Sequence, residues 1–261
     1  MQTDLTNKIA IVTGGGQGIG REIALVFADA GARIVLAARN EANIAETARI
    51  IADAGGEALP VVTDVTDETS VQAMVDAALT KYGTVDFLIN NSGIAGPTAN
   101  CEDVLLEEWE TTMAVNVRGV FLCAKYVLPV MKRQKSGRIV NLSSITGKRP
   151  LPQRTAYATS KMAVVGFTRT LALEVGRQGI TVNAISPGAV EGDRIGRVLA
   201  AVAESENISL DEARERFTEC SALGKMSTER DIANMALYLC SDAGANITAQ
   251  DYTICAGTTW N

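Results

Sequence analysis

An α/β fold built on one doubly wound parallel sheet, with helices on both faces, is what this sequence predicts, and three observations predict it. Short apolar runs alternate with longer amphipathic stretches from residue 8 to residue 255. The runs are apolar throughout instead of at every second residue, which is the pattern of strands buried on both faces. The first run, Lys8-Ile9-Ala10-Ile11-Val12-Thr13, closes on glycines that open directly into a helical pattern, with Ile19, Ile23, Leu25, Val26 and Phe27 along Gly18 to Ala30.

The later elements follow in the same rhythm. A second strand near 33–38 ends at Ala38-Arg39-Asn40 and leads to a helix near 41–54; a third near 57–63 ends at Thr63-Asp64-Val65, before a helix near 67–82. The fourth strand, 85–90, runs into Asn90-Asn91-Ser92-Gly93, and one helical stretch is expected over 107–133. That stretch closes on Lys132-Arg133-Gln134-Lys135, a cationic end that suits the helix dipole. The fifth strand, 137–143, ends at Ser143-Ser144 and precedes a helix near 155–177. The sixth, 180–186, ends at Pro187-Gly188; a helix near 229–241 and a strand near 251–255 complete the pattern.

Between Val190 and Leu223 the rhythm breaks. Ile195, Val198, Leu199 and Val202 form a helical stripe, and Ser209-Leu210-Asp211-Glu212 reads as a capping box opening a second helix. This segment, approximately 190–224, is either a lid over a site or a pair of helices against a neighbouring subunit.

Composition narrows the function. At 261 residues and 47% hydrophobic content, with no linker or repeat, the chain is expected to be a single domain spanning 1–261. Its longest apolar runs are far shorter than a membrane span, and no secretory signal is recognisable at Met1 to Leu5, so a cytoplasmic location and no membrane partner are expected. Cys101, Cys123, Cys220, Cys240 and Cys255 lie far apart without a C-x-x-C, which argues against a zinc site or a disulfide framework. A net charge of −6 disfavours nucleic acid. The chain has no histidine, which excludes Ser-His-Asp chemistry and His-containing metal sites; no metal is expected.

Acid–base work then falls to other groups, and Tyr157 and Lys161 are placed for it. Four residues apart on a helix, they share one face. An adjacent cation favours the phenolate and brings a Tyr, which ordinarily titrates near pH ~10, toward working pH. Ser144 lies thirteen residues upstream, at a strand end. Doubly wound sheets bind ligands beyond the carboxyl ends of their strands, where strand order reverses. The turn Thr13-Gly14-Gly15-Gly16-Gln17-Gly18-Ile19-Gly20 sits at such an end, where glycines let a backbone approach a pyrophosphate at a helix N-terminus. Its spacing is G-x-x-x-G-x-G.

Together, Thr13-Gly14-x-x-x-Gly18-Ile19-Gly20, Asn90-Asn91-Ser92-Gly93, Asn116, Ser144, Tyr157-x-x-x-Lys161 and Pro187-Gly188 resemble the short-chain dehydrogenase/reductase family in its single-domain form. The resemblance covers essentially the whole chain and implies a Rossmann-like fold with a helical substrate lid. It implies catalytic roles for Asn116, Ser144, Tyr157 and Lys161: Tyr157 as general acid or base, and Lys161 lowering its pKa and binding the nicotinamide ribose. Ser144 would donate to the substrate oxygen, and Asn116 would hold a relay water. Ser143 is read as a structural hydroxyl on the other side of the strand.

For the cofactor the resemblance implies contacts from Gly14, Gly16, Gln17, Gly18, Ile19 and Gly20, from Arg39, from Asp64 and Val65, from Asn91, Tyr157 and Lys161, and from Pro187, Gly188 and Val190. Asp64 and Asn91 could instead cap turns. NADP(H) is favoured over NAD(H), because Ala38 stands where an NAD site places a carboxylate and Arg39 follows it. Against this, Gln17 occupies a place where relatives carry a second basic residue, and Arg39 could be solvated beside Glu41. The chain departs from the family with Ser92 for Ala and with Gly192 where Thr is common; Asp193 and Arg194 beside it could face substrate or solvent.

The resemblance thus implies an NAD(P)-dependent oxidoreductase moving hydride between nicotinamide and a carbonyl or secondary alcohol of a small molecule such as a sugar or polyol. The alternative substrate is a 3-oxoacyl thioester on acyl carrier protein, for which Arg149, Arg154, Arg194 and Arg197 would supply a basic rim. Outside the enzyme class stands a non-catalytic dinucleotide-binding sensor or scaffold. A homotetramer is expected, with helices near 107–133 and 155–177 at its interfaces. The tail Thr258-Thr259-Trp260-Asn261 reaches an adjacent active site or packs on its own subunit.

Overall fold

The computed structural model describes residues 3–259. Seven parallel strands among them form one sheet: β1 (Ile9–Thr13), β2 (Arg33–Ala38), β3 (Ala58–Val62), β4 (Phe87–Asn90), β5 (Gly137–Leu142), β6 (Ile180–Pro187) and β7 (Asp251–Ile254). Their spatial order is β3-β2-β1-β4-β5-β6-β7, so the winding reverses between β1 and β4. Register there pairs Ile11 with Leu88 and Val12 with Ile89. All five β1 residues are buried, and alternate ones serve opposite faces. Ile9 and Ile11 pack with Met74, Leu122 and Leu171, whereas Ala10 and Val12 pack with Phe27, Ile44 and Ile232.

Those partners come from helices on either side: α1 (Gly18–Asp29), α2 (Glu41–Asp53) and α9 (Glu229–Cys240) on one face, α3 (Glu68–Tyr82), α5 (Gly119–Gln134) and α6 (Thr155–Val175) on the other. Phe27 meets Phe87 edge to face, ring centroids 6.1 Å apart. The edge strands depart from the uniformly apolar pattern. β3 carries Pro60 and exposes Val62, as an edge strand can because no ladder bond is needed on its outer side.

The stretch expected as one helix over 107–133 is divided. Helix α4 (Leu106–Met113) passes through a π-helical turn at Ala114–Arg118 before α5 begins. There the Gly119 N–H donates to Ala114 O, five residues back, and the extra residue turns Asn116 inward, 1% exposed. Leu106–Gln134 as a whole has the length and hydropathy of a membrane span. It is a core element, since Leu122, Val127 and Met131 of its second half lie under the sheet.

In the segment over 190–224, α7 (Asp193–Glu206) and α8 (Leu210–Thr218) close on a small cluster of their own, Leu199, Ala203, Ala213 and Met226. Ser209 Oγ accepts from the Glu212 N–H (3.1 Å) and so caps α8. The side chains of Asp193 and Arg194, and all of Trp260 and Asn261, lie outside the described residues.

Candidate active site

At the reversal point the ends of β1 and β4 are laced together. Thr13 Oγ1 accepts from the Asn91 and Ser92 N–H groups (3.0 and 3.1 Å), and Asn91 Nδ2 donates to the carbonyls of Thr13 and Gly14 (2.9 and 3.3 Å). The glycine turn folds over this clasp. Gly14 adopts φ +66°, and a Cβ on Gly20 would fall 2.2 Å from Gly14 O and 2.4 Å from Asn91 Nδ2. The backbone here therefore approaches itself as closely as glycine permits. The Asn91 side chain clamps the turn, which is its capping role.

Asp64 also caps a turn: its Oδ1 accepts from the N–H and hydroxyl of Thr66 (2.9 and 2.8 Å). Val65, next to it, is buried against Gly119, whose missing Cβ would meet Val65 Cγ2 at 2.8 Å. Arg39 is exposed at the end of β2, and no ion pair joins it to Glu41 among the described residues. It borders a groove of about 930 Å³ lined also by Thr66, Trp109, Arg118 and Phe121. A second cation, which sequence reasoning missed, lies under the turn. Arg21 Nη2 donates to Gly16 O (2.7 Å) and Nε to Thr47 Oγ1 (3.1 Å), so the first turn of α1 reaches back to fix Gly16. The Gln17 carbonyl accepts from the Arg21 N–H (3.2 Å), and its side chain accepts a long contact from Asn43 Nδ2 (3.5 Å).

Deeper in the cleft, β5, α6 and the π turn bring together four residues distant in sequence. Ser144 caps a short 3-10 turn, Ile145–Gly147, accepting from the Thr146 N–H (3.2 Å) and donating to Thr146 Oγ1 (3.3 Å). Ser143 turns the other way, its hydroxyl donating to Lys161 O (2.8 Å), the structural role expected of it. Tyr157 is 8% exposed and Lys161 5%. Lys161 Nζ donates to Leu142 O (2.9 Å) and lies 5.7 Å from the Tyr157 ring centroid. Asn116 Nδ2 donates to Ile94 O and Ser160 Oγ (3.0 Å each), while Oδ1 accepts from the Ile94 N–H (2.8 Å). Ser160 Oγ in turn donates to Tyr157 O (2.8 Å), so the Asn116 amide is committed to holding the β4–α4 loop and α6 in register. A Cβ on Gly93 would stand 3.4 Å from Lys161 Nζ, which places that glycine at the wall of the same cleft.

On the far side, Gly188 N–H donates to Ile254 O (2.9 Å), and a Cβ there would meet Cys255 Cβ at 2.6 Å. Val190 bridges to Ser227, with Glu191 N–H donating to Ser227 O (2.8 Å). Pro187, Gly188 and Val190 thus form the fixed rim from which α7 departs. A buried ion pair braces this rim: Asp251, its side chain 2% exposed, accepts from Ser186 Oγ (2.6 Å) and faces Lys148 Nζ at 2.9 Å. Lys148 directs its hydrogen bond to Thr253 Oγ1 (2.7 Å).

Comparison with known proteins agrees with this architecture. A short-chain dehydrogenase family model described as enoyl-(acyl carrier protein) reductase matches residues 14–259. A Streptomyces violaceoruber protein to which a ketoacyl reductase role in granaticin polyketide synthase is ascribed is 40% identical over 251 residues, covering 95% of this chain and 92% of that protein. Crystal structures of levodione reductase and of NAD+-bound xylitol dehydrogenase superpose with a TM-score of 0.91 each, at 32% and 30% identity; both cover 97% of this chain, and 97% and 99% of their own. The chain belongs to the short-chain dehydrogenase/reductase family. It is an oxidoreductase that uses a nicotinamide dinucleotide to interconvert a hydroxyl and a carbonyl group of a small molecule.

Proposed function

We propose that Tyr157 is the general acid when a carbonyl is reduced and, as tyrosinate, the base when an alcohol is oxidised. Its substrate is a small hydroxy or carbonyl compound such as a sugar or polyol. The observation carrying this reading is that Lys161 Nζ lies 5.7 Å from the ring of buried Tyr157, on a helix packed against the short turn that Ser144 caps. The turn suits a dinucleotide because Gly14 and Gly18, at φ +66° and +56°, lead side-chain-free backbone into the N-terminus of α1, where a phosphate can approach. A bound nicotinamide supplies or accepts the hydride. Gly14, Gly16, Gln17, Gly18, Ile19 and Gly20 would hold the pyrophosphate end, Asp64, Val65 and Asn91 the adenosine, and Lys161, Pro187, Gly188 and Val190 the nicotinamide end.

The Lys161 ammonium near the ring favours the phenolate over the phenol. Ser144 Oγ now donates to Thr146 over 3.3 Å, a long bond readily exchanged for a substrate oxygen on which negative charge develops. Asn116 acts through the loop and helix it joins. The test is the reduced-nicotinamide absorbance with a panel of ketones and alcohols. Tyr157→Phe should lower kcat by at least ~10²-fold, the size of a lost acid–base contribution, and unchanged turnover would sink the assignment.

The 3-oxoacyl-thioester reading is favoured by the Streptomyces relative. It is weakened by the rim, where Arg154 turns inward to Ala95 O and leaves Arg149 and Arg197 exposed on a chain of net charge −6. Comparing kcat/KM for acyl-carrier-protein thioesters with that for free ketones separates the two.

Arg39, exposed and not paired with Glu41, supports NADP(H) over NAD(H). Arg39→Glu should reverse the ratio of kcat/KM for NADPH to that for NADH by tenfold or more, since a phosphate would then face a carboxylate. A cytoplasmic homotetramer is part of the same reading. Exposed Leu105, Leu106 and Phe121 on α4–α5 and Met162 and Leu173 on α6 are apolar faces suited to subunit contact, and light scattering tests it.

A further inference from the structure

Arg154 stands one residue before α6 and reaches across the cleft. Its Nη2 donates to Ala95 O and its Nη1 to Thr98 Oγ1, both at 2.7 Å. Its guanidinium carbon lies 5.1 Å from the Tyr157 ring centroid. This reach is built into the backbone. Gln153, at φ +64°, occupies the left-handed region that L residues rarely adopt, and its carbonyl accepts from the Ala99 N–H (3.2 Å). The strained turn delivers Arg154 to a loop that is already held at two other points. Ile94 is clamped by Asn116, and Gly96 packs so closely on α4 that a Cβ would stand 2.7 Å from Thr112 Oγ1.

We propose that Arg154 is a positioning residue for Tyr157: it sets a second cation, beside Lys161, against the Tyr157 ring, and it ties the Ile94–Ala99 loop to the first turn of α6 as the wall of the substrate pocket. The inference rests on the reading of Tyr157 as the general acid or base. A planar guanidinium suits both tasks, since one fork can satisfy two loop acceptors while its face stacks on an aromatic ring. Its charge adds to that of Lys161 in favouring the phenolate over the phenol.

Charged groups on the neighbouring elements are engaged elsewhere or stand at the rim. Lys148 pairs with Asp251 and Glu191 with Arg214. Glu108 on α4 accepts from the Leu105 N–H, Arg118 in the π turn reaches Thr66 O, and Arg149 reaches the Cys220 thiol. Glu107 and Glu110, also on α4, are exposed. Arg154 and Lys161 are the two cations stacked near the Tyr157 ring among the described residues.

The experiment compares Arg154→Met, Arg154→Lys, Thr98→Val and Tyr157→Phe in the full-length enzyme, following kcat, KM and the pH dependence of alcohol oxidation, with cofactor affinity and Tm measured alongside. Arg154→Met should lower kcat about tenfold and move the rising, acid-side limb of kcat/KM upward by about one pH unit, the direction expected when a cation near an acid is removed. Cofactor affinity should be unchanged. Arg154→Lys, which keeps the charge and loses the fork, should restore the pH profile but not the substrate KM. Thr98→Val should raise the substrate KM and leave the profile in place.

A pH profile for Arg154→Met that matches the parent, or Arg154→Lys behaving like Arg154→Met, overturns the proposal. If Arg154→Met does not fold, Arg154→Lys and Thr98→Val decide alone: a substrate KM unchanged in both overturns it. Tyr157→Phe separates the two ideas. Activity surviving there defeats the underlying reading, whereas an inactive Tyr157→Phe beside an unaffected Arg154→Met defeats this inference only.

Discussion

The Lys148–Asp251 pair offers the sharpest test of how the cleft is braced. Lys148 lies four residues past Ser144, and Asp251 opens β7 opposite Ala184, so the pair joins the loop behind Ser144 to the last strand. The two side chains differ in access to water, at 14% exposed for Lys148 and 2% for Asp251. Lys148→Met would leave a carboxylate almost fully enclosed with Ser186 Oγ as its remaining close partner, and stranding a buried charge in this way costs about 3–5 kcal/mol. At an unfolding entropy of about 2 cal/mol/K per residue, that corresponds to a Tm lower by about 5–9 °C for a chain of 261 residues. Asp251→Asn strands the more accessible partner, which keeps Thr253 Oγ1 and a path to solvent, so it should cost about 1.5–3 kcal/mol, the worth of a hydrogen bond to a charged group. The double variant removes both charges and should be more stable than Lys148→Met alone. Denaturant unfolding of all four proteins at one protein concentration measures the cycle. A cost below ~1 kcal/mol for Lys148→Met, or a larger cost for Asp251→Asn, would refute the reasoning from burial.

Gly20→Ala should be far worse than an ordinary glycine replacement in a helix, which costs little or helps, because its methyl would collide with Gly14 O, a backbone atom, at 2.2 Å. Dinucleotide affinity, read by fluorescence titration, should fall by more than ~10-fold as the turn is displaced. Thiol labelling of the native protein should modify Cys101 and Cys220, which are exposed, and reach Cys123, Cys240 and Cys255 only on unfolding. Burial pushes the Cys123 thiol up to about 12 from the ordinary 9.0, and that of Cys240 higher still. The unfolded chain releases these protons first, so this contribution to stability is complete below pH 9.0 and is lost as pH rises from there toward the folded values. Urea midpoints measured across that range should fall progressively, and Cys123→Ala should flatten the decline.

What was legible in the sequence was whatever depends on local pattern. Period and glycine placement located the strands and the phosphate-type turn within a residue or two, because buried parallel strands have no polar face to confuse the pattern. The shared face of Tyr157 and Lys161 and the place of Ser144 at the end of β5 were legible because helix period and strand end fix them. Asn116 was recognisable as a residue but not as a structural device: a π turn inserts one residue without altering the apolar rhythm around it, so 107–133 reads as unbroken. Arg21, Lys148 and Arg154 were hidden for another reason. Each acts on a partner brought close only by the fold, Thr47 from α2, Asp251 from β7 and Thr98 from the β4–α4 loop, and no spacing along the chain encodes such a meeting.

The same distinction bears on where substrate preference is written. In the proposed mechanism Ser144, Tyr157 and Lys161 act on a carbon and oxygen that every alcohol and ketone shares, so they would select a reaction and not a molecule. On the same proposal, discrimination would come from surfaces that touch the rest of the substrate: the Ile94–Ala99 loop, held by Asn116 and Arg154, and α7–α8, which carry their own small core. These two walls are built differently. The loop is fixed at Ile94, Gly96, Thr98 and Ala99 by hydrogen bonds and close packing, whereas α7–α8 rest, among the described residues, on four buried apolar side chains separate from the two main clusters of the sheet. A wall tied by directed bonds keeps its shape when a ligand arrives, and a wall resting on a small apolar cluster can shift at low cost. Changes at Thr98 should therefore alter which substrates fit, while changes at Leu199 or Ala213 should alter how readily any substrate is enclosed, appearing together in kcat and KM.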